Sequence, residues 1–477
     1  MSESVLPRPR RAVVTAIALL GATTTALPIA HAAPATATSA RQDFNGDGYE
    51  DLAVAAPSAT VNGRTRAGYV AVLYGSAGGL GTGNKMVYTQ ASSGVPGTVE
   101  MDDRFGQRLA TADLDGDGFT DLLVESGGER WQQGGIDRQG SRTVLWGGRG
   151  GFTSGKVLPA VTTGPYQGGP TVAGDFNGDG HQDLLQRGRL QFGPFGRDGV
   201  PTATQNGAEI VDGDMEVNAA VAGDVDGDGI TDLVSVARTY DRDDEGNYGY
   251  QLNYVHGSAN GLQAPTILKD AQGRWIDPAT SALAVGDVNG DHRADIVLGD
   301  ARIQVLYATA SGPAAATPQV ITQDTPGVPG VQERDDSFGS ALSVGDVDGD
   351  GYGDILAGNR DETFSGLRQA GTFAVVPGGP NGPTGAGTKV FSQNTADVPG
   401  TAEQGDHFGD NTHLVDGNGD GRAEPVVAAT QEDSGAGAVW VFRSTSAGAT
   451  AKGSFAFGAR VLGTVASGAG LGVTFPN

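Results

Sequence analysis

Asp113-Leu114-Asp115-Gly116-Asp117-Gly118-Phe119-Thr120-Asp121, running straight into Leu122-Leu123-Val124, decides how this chain folds. The same nine-residue pattern, D-x-[DN]-G-D-G-x-x-[DE], begins at Asp43, Asp113, Asp175, Asp224, Asp287, Asp346 and Asp416. The intervals are 70, 62, 49, 63, 59 and 70 residues. A near-regular period marks a repeat architecture in which each unit needs its neighbours to bury a core. Short alternating stretches such as Ala341-Leu342-Ser343-Val344 precede the loops, and apolar runs such as Leu52-Ala53-Val54 and Ile296-Val297-Leu298 follow them. Further runs include Tyr69 to Tyr74, Phe373 to Val376, Val439 to Phe442, Met86 to Tyr88 and Val390 to Ser392. Runs of this length bounded by Gly, Pro and Asn are strands. Four strands in each of seven units predict an all-β fold, a seven-bladed β-propeller with an acidic loop between strands of each blade. Such a circle leaves no long sheet edge exposed.

Composition fits. Of 477 residues 79 are Gly, 38% are hydrophobic and only 18% are charged, which suits short strands and tight turns. The formal charge of −25 argues against nucleic acid or an anionic membrane surface as partner. The absence of Cys removes disulfides, thiolate nucleophiles and zinc-cysteine sites together.

The acidic loops read as metal sites. Side-chain oxygens fall at positions one, three, five and nine, and the carbonyl of position seven turns inward. In the first loop the expected ligands are Asp43, Asn45, Asp47, Asp51 and the Tyr49 carbonyl; in the second, Asp113, Asp115, Asp117, Asp121 and the Phe119 carbonyl. The third offers Asp175, Asn177, Asp179, Asp183 and the His181 carbonyl; the fourth, Asp224, Asp226, Asp228, Asp232 and the Ile230 carbonyl. The fifth offers Asp287, Asn289, Asp291, Asp295 and the Arg293 carbonyl. The sixth offers Asp346, Asp348, Asp350, Asp354 and the Tyr352 carbonyl; the seventh, Asp416, Asn418, Asp420, Glu424 and the Arg422 carbonyl. Hard oxygens from a flexible acidic loop suit Ca²⁺, up to seven ions in all. Without a cation, three or four carboxylates so close repel one another by several kcal/mol, about 4 kcal/mol per close pair at an effective dielectric of 20. An EF-hand is excluded because position twelve is never Glu and flanking helices are missing. His292 stands at the sixth position of the fifth loop, where the others have Gly, and Pro425 follows Glu424, so these two loops are expected to bind most weakly. Seven ions at +2 each would bring the formal charge from −25 to −11.

The N-terminus reads as an address. Arg8, Arg10 and Arg11 precede an apolar run from Ala12 to Ala30, and Ala30-His31-Ala32 supplies a cleavage site. Residues 1–32 are expected to be a signal peptide, 33–42 a linker and 43–477 the propeller of a secreted, extracellular chain. With no disulfides, metal would staple the loops. No stretch of the mature chain is apolar enough to span a membrane, and a monomer is expected. The C-terminal Phe457-Gly458 and Leu471 to Phe475 are expected to close the first blade.

Three units carry Phe-Gly eight residues before the loop, at Phe105-Gly106, Phe338-Gly339 and Phe408-Gly409. That pair, the loop and the apolar run resemble the FG-GAP (and related VCBS) repeat of the integrin alpha-chain propeller, in a secreted, bacterial-type form; Ala55-Ala56-Pro57 resembles its closing Gly-Ala-Pro. The resemblance spans roughly 40–477. Phe-Gly is missing before the loops at 175, 224 and 287, which puts the regularity of blades three to five in doubt. The resemblance implies loops on one face, joining the first two strands of each blade, and partners on the opposite face. It covers adhesion modules, lectins, polysaccharide lyases and a lipid-anchor-cleaving phospholipase, so it leaves the activity open.

Catalytic motifs are sparse. No G-x-S-x-G occurs, and Gly150 to Lys156 is a glycine-rich turn lacking the Ser or Thr of a phosphate loop. His407 beside Asp406 reads as a partly exposed turn histidine, with a general base as the alternative. Trp146 and Trp440 lie in strand patterns and read as core. Trp131 and Trp275 lack such a pattern; each either lids the core or, like the segment Tyr240 to Tyr250, belongs to a binding surface. Val-Pro-Gly at 95, 328 and 398 reads as an inter-blade turn. The residues favour a calcium-binding interaction or adhesion module for an extracellular protein or glycan. The alternatives are a carbohydrate-binding module, or a hydrolase or lyase acting on glycans or lipid anchors.

Overall fold

β-Branched and aromatic residues line the runs between the acidic loops, and Gly and Pro interrupt them, so they form short twisted strands rather than helices. A computed structural model describes residues 1–2, 42–133, 136–160, 169–186, 188–206, 215–239 and 249–476; of 131–133, 136–138, 215 and 239 it describes only the backbone. All but the first two residues of the proposed signal peptide, nearly all of the linker, and 240–248 lie outside the described residues.

The described strands make a seven-bladed β-propeller of antiparallel meanders. Blade 2 is typical, with strands Phe105–Ala112, Asp121–Gln133, Ile136–Trp146 and Ser154–Val157 in that order. Blades 3 to 5 each have four strands too, although those of blade 3 are only three or four residues long. Blade 6 holds Leu342–Gly345 to Lys389–Phe391, and blade 7 Asn411–Val415 to Gly448–Gly458. Blade 1 has Leu52–Ala56, Tyr69–Leu73 and Lys85–Tyr88. Along the free side of Leu52–Ala56, Ala55 N–H donates to Thr474 O (2.9 Å), and Gly472 N–H donates to Ala55 O (3.1 Å).

The core is divided among the blade interfaces. Seven apolar clusters each combine residues of two neighbouring blades, and the first unites blades 7 and 1 through Val426, Val439, Leu52 and Tyr69, with Leu471 and Phe475 added. The interface of blades 6 and 7 is the most aromatic. Phe373 meets Phe391 at 5.1 Å and Phe442 at 4.8 Å, and Phe408 meets Trp440 edge-on at 5.1 Å. Each blade therefore buries its faces only against its neighbours. The meander places every first-to-second and third-to-fourth connection on one face, and the remaining turns on the other.

Candidate metal centres

The ninth loop residue is a carboxylate at, or immediately before, the start of a second strand, and it is at most 2% exposed in all seven blades. It acts as a two-pronged staple. Asp121 accepts the Leu114 N–H on Oδ2 (2.9 Å) and, on Oδ1, the Gly147 N–H from the turn after the third strand (2.8 Å). The same pair of bonds recurs at Asp51, Asp183, Asp232, Asp295 and Asp354. In blade 7 one Glu424 oxygen instead accepts from the Asn418 side chain of its own loop (2.8 Å). Burial, reinforced by the neighbouring loop carboxylates, pushes these acids up: Asp232 to about 6, Asp51, Asp183, Asp295, Asp354 and Glu424 to about 7, and Asp121 to about 8.

The first Asp organises the loop backbone. Asp43 Oδ1 accepts from Gly46 N (2.7 Å) and Asp47 N (3.1 Å), and Oδ2 from Gly48 N (2.8 Å). Where the third residue is also Asp, three carboxylates converge: Asp113, Asp115 and Asp121 offer oxygens within 4.8 Å of one another, as do Asp224, Asp226 and Asp232, and Asp346, Asp348 and Asp354. Asp115 Oδ1 is buried with no hydrogen-bond partner. An orphaned oxygen among converging hard ligands fits a hard divalent cation. In the Asn45, Asn177 and Asn289 loops the third side chain hydrogen-bonds the fifth, 2.9 to 3.3 Å apart.

Several loops also meet an arginine or histidine, which the sequence did not disclose. Arg197, from the turn after the third strand of blade 3, reaches Asp115 (2.7 Å) and Asp117 (2.6 Å) of blade 2. His256 meets Asp226 (2.8 Å), Arg293 meets Asp291 (2.7 Å) and Arg422 meets Asp420 (3.0 Å). Carboxylate repulsion is therefore relieved in part by the chain itself.

The loops touch one another in a ring. The eighth residue's N–H donates to the first residue's carbonyl in the preceding loop: Thr120 to Asp43 (3.1 Å), Thr231 to Asp175 (2.9 Å) and Ala294 to Asp224 (2.8 Å). Gly353 to Asp287 (2.7 Å) and Ala423 to Asp346 (2.8 Å) continue it. Glu50 to Asp416 (3.3 Å) joins the first loop to the seventh, and between the second and third loops Phe195 N–H donates to Leu114 O (2.6 Å) instead. The seventh side chain lies over the preceding loop's position-four Gly; a Cβ on Gly290 would come within 2.6 Å of Tyr352, and one on Gly178 within 2.9 Å of Ile230. The glycines at position six, such as Gly351, have open space instead, which explains why His292 fits there at φ 63°.

The family model of the FG-GAP repeat matches residues 35–73, 105–145 and 338–388. The chain carries FG-GAP repeats. Among curated proteins it is similar to phosphatidylinositol-glycan-specific phospholipase D of Rattus norvegicus, 32% identical over 149 residues, 31% of this chain and 17% of that protein. The Homo sapiens protein of that name is 29% identical over 182 residues, 37% of this chain and 21% of its own length. The chain thus spans about a fifth of these relatives. Among solved structures, the Dos1 propeller aligns over 79% of this chain and 78% of its own, at 10% identity and TM-score 0.37. The exotype rhamnogalacturonan lyase YesX aligns over 86% and 71%, at 14% identity and TM-score 0.28.

The FG-GAP turns build the opposite face. Phe105, Phe338 and Phe408 are buried, and the Val-Pro-Gly segments lie in the turns that precede them. Sequence inspection missed the rest of that motif. Gln90, Gln323 and Gln393 are buried five residues before Val-Pro-Gly, and each donates through Nε2 to a Glu 39 residues on: Glu129 (2.6 Å), Glu362 (2.7 Å) and Glu432 (2.8 Å). Asp103, Asp336 and Asp406 cap the turn, accepting the amides of Glu100, Glu333 and Glu403 (2.6 Å each). Burial, with these neighbouring carboxylates, raises Glu129, takes Glu362 to about 6 and Glu432 to about 7. The signal was present as one spacing, Gln-x₄-Val-Pro-Gly-x₂-Glu-x₂-Asp-x-Phe-Gly, written three times.

Trp146 and Trp440 are core. Trp131 falls within the strand Asp121–Gln133, which continues past the apolar run that was legible, and its side chain lies outside the described residues. Trp275 is 50% exposed between blades 4 and 5, so it does not lid the core. His407 is a half-buried turn residue, and the adjacent Asp406 is committed to its turn. His413 meets Gln42 (2.9 Å), stacks on Phe475 and is held down to about 4 by burial. Among the described residues no helix is long and apolar enough to cross a membrane.

Proposed function

We propose that this protein is a secreted, monomeric calcium-loaded propeller whose loop face is structural and whose opposite face binds an extracellular protein or glycan. The observation that carries this reading is the ninth-position carboxylate, buried in all seven blades and raised by desolvation among further acids. Seven such anions are tolerated together when seven divalent ions neutralise them. The ligands would be the first, third, fifth and ninth side chains with the seventh carbonyl, and Ca²⁺ would take the place of disulfides as a folding staple. Because six loop-to-loop bonds tie up the metal face, recognition falls to the other face, where Trp275 stands exposed beside the blade 4–5 crossing.

A second reading rests on the named relatives: a hydrolase directed at phosphatidylinositol-glycan anchors, with the matched repeats as part of it. Binding of the purified chain to immobilised glycans and anchored cell-surface proteins, with Ca²⁺ and with chelator, tests both. Saturable, Ca²⁺-dependent retention without product supports the interaction module. Release of the anchored protein supports the hydrolase. Retention indifferent to Ca²⁺ removes the structural role given to the metal.

A further inference from the structure

The fourth loop differs from the rest, and we propose that His256 gives it a second metal position, selective for a borderline divalent cation such as Zn²⁺ or Mn²⁺. This deepens the reading of the loops as metal sites and asks a separate question of one of them. His256 immediately follows the third strand of blade 4, one residue before the Gly257 amide that binds Asp232. The matching residues in other blades are Tyr74, Trp146, Phe192, Tyr307 and Pro377, each also preceding the amide that binds the ninth acid. Only here, among these six positions, does that place carry a metal-ligating nitrogen.

The ring is aimed at the loop. Nε2 lies 2.8 Å from Asp226 Oδ2 and 3.6 Å from Asp228 Oδ2, and the three residues offer ligand atoms within 4.8 Å of one another. Ligands at about 2.1 Å from a tetrahedral or octahedral ion sit about 3.0 to 3.4 Å apart, so this triad needs little adjustment to close on one. The other nitrogen is already held: Gln263 Nε2 lies 3.2 Å from Nδ1, so in the metal-free ring Nδ1 accepts and Nε2–H points at Asp226. With that amide turned so that its oxygen accepts, Nδ1–H is fixed and the Nε2 lone pair faces the carboxylates, the usual outer-shell support of a ligating histidine. Asp224, Asp226 and Asp232 form a buried oxygen triad; Asp226 belongs to both, and Asp228 is also an expected ligand of the loop's calcium, so His256 is what the second position adds. The all-oxygen triad suits a hard ion. The imidazole-bearing triad suits a softer one, with Asp226 and Asp228 bridging the two positions.

Calorimetric titration of the calcium-saturated full chain with Zn²⁺ tests this, in the wild type, in His256→Gln and in a His181→Gln control. One Zn²⁺ site that is weakened at least tenfold in His256→Gln only, with calcium stoichiometry unchanged, is the expected result. Bound Mn²⁺ is expected to show ¹⁴N coupling by electron spin-echo spectroscopy, lost in the same variant. Equal Zn²⁺ affinity in wild type and His256→Gln, or no Zn²⁺ binding at all, overturns the proposal. A chain that binds Zn²⁺ through His256 but no Ca²⁺ would retire the calcium reading and leave this one standing.

Discussion

The two faces of the propeller crowd carboxylates in different ways. On the loop face, Asp121 and its six counterparts are buried against backbone amides, and the surrounding side chains are mostly further acids. On the opposite face, Glu129, Glu362 and Glu432 each receive a buried glutamine amide and share their space with two or three acids. Neutral donors and protons can satisfy the second arrangement. The first leaves Asp115 Oδ1 without a hydrogen-bond partner, and a bound cation would complete it. On the proposed reading, similar composition yields an ion-dependent face and a proton-dependent face, and the difference lies in what the folded backbone and its neighbours offer each oxygen.

That contrast can be broken most severely at the staple. Asp121→Ala leaves the Leu114 and Gly147 amides unpaired in the core and deletes a ligand. Its expected cost is about 3 kcal/mol with the loss of one bound ion, read by denaturant unfolding and elemental analysis. A smaller effect separates two glycines. Gly290→Ala would drive a Cβ into Tyr352 at φ 77°, whereas Gly351→Ala at φ 90° meets nothing. The former is expected to cost about 2 kcal/mol and the latter about 1 kcal/mol, the left-handed penalty alone. Equal costs would deny the coupling between adjacent loops.

The smallest effect belongs to the opposite face. Glu432 is ordinarily ionised above about 4.5 but titrates near 7 in the fold, chiefly through burial and then Asp406 and its neighbours. The folded state therefore holds the proton more tightly, so this group's contribution is complete below about 4.5 and is lost as pH rises through about 7. In calcium-saturated protein, Glu432→Gln should flatten the fall in melting temperature across that window. An unchanged slope would show that the glutamine-capped acid does not sense protons.

How much was legible follows the chemistry. Seven loops, their strands and the circular architecture were written in spaced Asp and Gly residues and period-two apolar runs, because hard ligands and tight turns tolerate few alternatives. The loop-to-loop ring was invisible: Tyr49, Phe119, His181, Ile230, Arg293, Tyr352 and Arg422 share a position but no chemistry. Arg197 was equally hidden, since it answers a loop 80 residues away in a neighbouring blade. The glutamine–glutamate pairs could have been read from their repeated spacing, but Gln and Glu are common enough on surfaces that burial alone reveals their role. Trp131 was misplaced because polar residues beyond Val124 extend its strand through hairpin pairing rather than apolar alternation.

The most direct test of a metal-stapled face is thermal unfolding of the chain in Ca²⁺ and in excess chelator, with bound ions counted on the same sample. Five to seven ions and a stabilisation above about 10 kcal/mol are expected, since each site contributes about 2.7 kcal/mol when Ca²⁺ is a hundredfold above its dissociation constant. Identical melting curves and no bound calcium would contradict the account, leaving the loops as turns held by their own amides and arginines.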